Sequence, residues 1–162
     1  VRIHWRTAWQ GQDIVVWRED DEVDRLPGAQ IHRVVVVHRE GGDLPGDLLH
    51  ALVQLDDHWV LLPAETGIAG RVHFERQAFW AERDCIFWVP QAQARLPSRL
   101  LRGHWWLRSS HLPFGRVPRE QLDALIDAWP LEGPQTWEQR KWQRIADGRP
   151  FADLAPGHRL RA

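Results

Sequence analysis

Four consecutive valines, Val34 to Val37, constrain the fold of this chain more than any other feature. Two heavy atoms on each Cβ restrict χ1 in a helix and suit a pleated surface, so Ile31-His32-Arg33-Val34-Val35-Val36-Val37-His38-Arg39 predicts a strand. Gly41-Gly42 stops it, and Leu44-Pro45-Gly46-Asp47 supplies the next loop. Residues 13–18, β-branched and aromatic, predict an earlier strand, with the acidic run Glu19-Asp20-Asp21-Glu22 as a solvated turn after it. Residues 50–55 and 58–62 predict a hairpin around Asp56-Asp57. A two-residue turn there sets Val53 opposite Val60 and Leu55 opposite His58, which places Ala51, Val53, Leu55, Val60 and Leu62 on one face.

Further along, a glycine-punctuated loop over 63–70 leads into an expected helix at 71–84 carrying Val72, Phe74, Ala78, Phe79 and Trp80. Residues 85–89 and 104–108 predict two more strands. Pro118 then opens a helix in which Leu122, Leu125, Ile126 and Trp129 form one stripe of a 3.6-residue period, closed by Pro130. Thr136 and Gln139 make a capping-box pattern for a last helix, with Trp137, Trp142 and Ile145 as its expected buried side and Gly148 as its end. Strands first and helices last argue for an α+β fold. The expectation is a largely antiparallel sheet of about five or six strands, with one inserted helix and two C-terminal helices. A pleckstrin-homology-like roll is one arrangement with that element order. The whole of 1–162 is expected to form a single domain, sheet-rich over 1–108 and helical over 117–148, with an extended tail at 149–162.

At 162 residues the chain can bury one core without disulfides, and 43% apolar with 27% charged residues lies within the globular range. Basic and acidic residues number 21 and 22, so no global field draws the protein to nucleic acid or an anionic bilayer. The single cysteine, Cys85, excludes an internal disulfide and is too few thiolates for a zinc ribbon. With no run of 18 uncharged apolar residues, the expected setting is the cytoplasm, and the skew from lysine to arginine suggests a GC-rich bacterial genome.

Eleven tryptophans are the first candidate for function, since an exposed indole stacks on sugars, bases or quaternary ammonium groups. Trp17, Trp59 and Trp88 in strands, with Trp129 and Trp142 on helix stripes, have core positions instead. Trp105 and Trp106 are strand neighbours that point to opposite faces, so one of them is a candidate interaction surface. A second candidate is an anion site at the loop into the first helix, where Gly67 and Gly70 free backbone N–H groups and Arg71, with Arg76, supplies a clamp. The same residues also suit an ordinary glycine turn, because they fit neither GxxxxGK[ST] nor GxGxxG.

Nine histidines include no HExxH or HxH, and His32 and His38, six apart in a strand, are about 20 Å distant, so no metal and no other cofactor is predicted. None of the three serines lies in GxSxG, and Cys85 in an apolar strand is expected to be inert. His73, Glu75 and Glu65 could converge as acid and base, but nothing requires them to meet. Arg140, Lys141, Arg144 and Arg149 beside Trp137 and Trp142 suit a solvated helix face better than a nucleic-acid footprint. The leading expectation is therefore a non-catalytic binding domain with a protein partner, self or other. A small anion or phosphorylated ligand is the alternative, and an enzyme the third.

Overall fold

The computed structural model describes residues 5–42, 47–63, 71–97, 116–134 and 137–147. Strands β1 (Trp5–Gln10), β2 (Asp13–Arg18) and β3 (Asp21–Leu26) form an antiparallel three-stranded sheet in the order β1-β2-β3. Strands β4 (Arg33–His38), β5 (Leu48–Gln54), β6 (His58–Pro63), β7 (Ile86–Pro90) and β8 (Arg116–Pro118) form a second sheet in the order β7-β4-β5-β6-β8. Only β4 and β7 run parallel among the described pairs. Helices α1 (Arg71–Trp80), α2 (Arg119–Asp127) and α3 (Trp137–Asp147) complete the described regular structure apart from short 3-10 turns. The class is α+β, with α1 inserted between β6 and β7 and the other two described helices after β8, and the strands divide between two sheets. Among the described residues no helix is long and apolar enough to cross a membrane.

The first sheet departs from the sequence expectation at both edges. Trp5 to Gln10 form a strand because Gly11, at φ 62°, opens a two-residue turn that returns the chain onto Asp13. Asp21 and Glu22, expected within a turn, begin β3, where one face is solvated and Arg25 binds Glu22, Asp13 and Gln10. The opposite face carries Trp9, Ile14, Val16 and Leu26 into the core.

Register assigns the two faces of the larger sheet. Val53 pairs with Val60 and Ala51 with Leu62, as the hairpin pattern predicts, and the Leu55 N–H donates to the His58 carbonyl at 2.8 Å. Partners across a ladder share a face, so Val34, Val36 and His38 lie with Ala51, Val53, Ile86 and Trp88 on one side. Arg33, Gln54, Trp59 and Val117 lie on the other. All four valines are buried because both sides are covered.

Helix α2 covers the second side. It starts at the β8 edge, where Pro118 with extended ψ occupies the position before the first turn, and buries Leu122 and Ile126. Asp123 accepts from the Trp59 indole N–H at 2.7 Å and from the Gln54 amide at 3.2 Å, while Arg33 binds Asp127 at 2.5 Å. Past α2, Glu132 exchanges two backbone bonds with Trp88, each 2.8 Å, so the chain has crossed the sheet from β8 to β7. The first side is covered by α1 and the three-stranded sheet, which an Arg116–Asp24 ion pair at 3.0 Å ties to β8. Helix α3 leans on α1.

Candidate functional site

Helix α1 spans ten residues rather than the fourteen expected, and among its described side chains the buried ones are Arg71, Glu75 and Ala78, at spacings of four and three. Arg71 is 1% exposed. Its Nε donates to Glu75 at 2.8 Å, its Nη2 to Glu132 at 2.9 Å and its Nη1 to the Gly41 carbonyl at 3.4 Å. The guanidinium lies 4.3 Å from the centroid of the Trp88 ring, whose other neighbour is the buried His38 at 6.4 Å. The planar fork of arginine thus joins α1, the turn after β4 and the segment after α2 through three nitrogens spread over one rigid plane, a wider span than the three N–H groups of a single ammonium nitrogen.

Where the sequence context suggests an anion clamp, the structure places the Arg71 donors on groups of the protein itself. Its donors are directed at two carboxylates and a carbonyl, so an incoming anion at that guanidinium would have to displace Glu75 and Glu132. Arg76 is exposed, about 140° around the helix from Arg71, and the two are not brought together. Gly67 and Gly70 lie outside the described residues, as do Trp105, Trp106 and Glu65. Glu75, considered as an acid or base, is held on the Arg71 guanidinium.

The tryptophans sort differently from their sequence positions. Trp59, Trp88 and Trp129 are buried as expected, and so is Trp9, which sequence left unplaced. Trp17 is half-buried beneath the Arg6 guanidinium at 4.7 Å. Trp142, expected in the core, is instead 37% exposed, because α3 buries the small Ala146 and leaves the indole one turn earlier at the rim beside Lys141. Trp80 is 72% exposed. It stands nine residues from Arg71, about 180° around α1, and so faces directly away from the buried stripe.

Trp80 walls a groove of about 430 Å³ lined also by Phe79, Glu82, Arg83 and Asp84. The Phe79 and Trp80 rings meet edge to face, with centroids 5.4 Å apart and planes at 80°. Below them α1 closes in a Schellman turn: the Arg83 N–H donates to the Ala78 carbonyl at 2.9 Å and the Glu82 N–H to the Phe79 carbonyl at 3.0 Å. The turn is pinned from three sides. Gln12 donates to the Ala81 carbonyl, Arg83 donates to the Ile31 carbonyl at 2.7 Å, and the Arg83 guanidinium packs 5.9 Å from the Trp9 ring. Cys85 follows at once, half-buried; burial pushes its thiol up, with Arg83 only partly offsetting this.

Sequence reasoning missed Phe79, Glu82, Arg83 and Asp84 as a group. The available signal was a tryptophan on the helix face opposite the buried stripe. Among the described residues no three of His, Cys, Asp and Glu are placed to hold a metal ion. No protein family, curated protein or solved structure matches the chain, so the functional reading rests on this geometry.

Proposed function

We propose that this protein is a non-catalytic interaction domain that docks a segment of another protein in the groove at the C-terminal end of α1. The observation that carries the reading is Trp80, 72% exposed on a helix end that Gln12 and Arg83 hold in place. Tryptophan is enriched among the residues that anchor protein interfaces, since an indole brings a large area and loses little rotamer entropy. Covering about 150–200 Å² of indole at about 25 cal/mol per Å² contributes roughly 4–5 kcal/mol before the costs of association. A reducing bacterial cytoplasm suits the single cysteine and the arginine-rich composition.

Selection of a random peptide library on the immobilised protein tests the reading. Recovered peptides should bind Trp80→Ser at least about tenfold more weakly than the unaltered protein, the loss expected of an interface anchor. Equal affinity for the two proteins would refute it.

A further inference from the structure

Deepening the docking reading above, on which it rests, we propose that the groove at the end of α1 takes a basic segment, with an arginine or lysine side chain seated against Trp80 between Glu82 and Asp84. Four features of the site favour a cation. The indole face carries the negative end of its quadrupole and binds cations best among the aromatic rings. The groove sits at a helix C-terminus, where the backbone dipole also attracts positive charge. Both flanking acids are exposed, and each lies at the helix end where a carboxylate is ordinarily disfavoured. Among the described residues of the lining the one cation, Arg83, is turned inward onto the Ile31 carbonyl and the Trp9 ring, so it does not neutralise the acids from within the groove.

Glu82 adds a backbone argument. Its φ of 57° is left-handed, the conformation that glycine adopts at this position of a Schellman turn without steric cost. Glu19 and Glu40 share this backbone at φ 55° and 53°, and what sets Glu82 apart is its carboxylate at a helix C-terminus, where the dipole favours a positive partner. A glycine at the same place would close the helix better and bind worse.

The experiment measures binding of the library-selected peptides by calorimetry to four proteins: unaltered, Trp80→Ser, the double variant Glu82→Gln/Asp84→Asn, and Glu82→Gly. The peptides should carry arginine or lysine beside an apolar residue, and the double variant should bind them about tenfold or more weakly, with a flatter dependence on salt. Glu82→Gly should raise the melting temperature by about 2–4 °C while weakening binding, an outcome that a purely structural role for Glu82 cannot produce. Peptides without basic residues, or unchanged affinity in the double variant alongside loss in Trp80→Ser, would overturn the cation assignment and leave the docking reading standing. Unchanged affinity in Trp80→Ser would remove both. A concentration-dependent dimer in sedimentation, dissolved by Trp80→Ser, would also overturn it, because the occupant would then be a second copy of the chain.

Discussion

Replacing Arg71 by methionine keeps much of the side-chain volume and removes the charge that joins α1 to the sheet. Glu75, with its carboxylate side chain 0% exposed, then loses its guanidinium, and removing one partner of a buried ion pair costs about 3–5 kcal/mol. The cation over Trp88 at 4.3 Å contributes about 2 kcal/mol when desolvated, and it overlaps the first figure because the same group makes both contacts. Glu132 is 51% exposed, so its share is that of a surface pair, no more than about 1 kcal/mol. The expected order is therefore Arg71→Met well above Glu132→Gln. In a chain of this length the larger loss lowers the melting temperature by about 6–20 °C. Removing both charges in Arg71→Met/Glu75→Leu should recover most of it, since an apolar replacement of a buried pair is often neutral. Urea titrations of the unaltered protein, Arg71→Met, Glu75→Leu and the double variant give the coupling energy directly. A cost below about 1 kcal/mol for Arg71→Met, or strict additivity in the cycle, would refute the reasoning.

Three other outcomes follow from contacts elsewhere. A Cβ on Gly28 would stand 2.3 Å from the Gln12 carbonyl oxygen, so Gly28→Ala should cost about 1–3 kcal/mol in urea unfolding, and a neutral result would contradict the packing. Asp123→Ala removes the acceptor of the buried Trp59 indole and should cost about 1–3 kcal/mol, with a loss under about 0.5 kcal/mol counting against that bond. Stability should fall in two stages on acidification, measured by melting temperature against pH. Burial holds His50 below the ordinary imidazole value, so its contribution is present above about pH 6.5 and is lost as pH falls through the depressed value. Asp13 is lowered by the Gly28 N–H and by Arg25, and Glu22 by Arg25, so their contributions are present above about pH 4 and are lost below it. In Asp123 burial alone would raise the carboxyl, and the bonds from Arg119, Trp59 and Gln54 outweigh it, giving the same sign. A flat profile from pH 7 to pH 3 would contradict these assignments.

The parts of the fold that sequence made legible are those where one local preference decides. Four β-branched residues admit little but a strand, and the Asp56-Asp57 turn fixed a register that the Val53–Val60 pairing reproduces. The stripe through Leu122 and Ile126 found α2 for the same reason. Strand β3 was hidden because its acidic residues take a pleated form only when β2 offers an edge. The surroundings of Arg71 were legible only in part: its i+4 neighbour Glu75 is visible in sequence, whereas Glu132 arrives 61 residues later, after α2 has crossed the sheet. Trp80 was ambiguous because Phe74, Ala78, Phe79 and Trp80 spread apolar character around the helix, and only the buried ion pair shows which side turns inward. Glu82 carried no helix-stop signal at all, since the residue that ends α1 is a glutamate where glycine is the readable mark.

The central claim is that Trp80 is the anchor of a binding groove, and the indole N–H resonances of the eleven tryptophans test it most directly. On titration with a library-selected basic peptide, the Trp80 signal, identified by its absence in Trp80→Phe, should shift and show intermolecular contacts to the peptide side chains. The signals of the buried Trp59 and Trp88 should stay in place. Peptide contacts that map to other tryptophans and leave Trp80 unmoved would contradict the account.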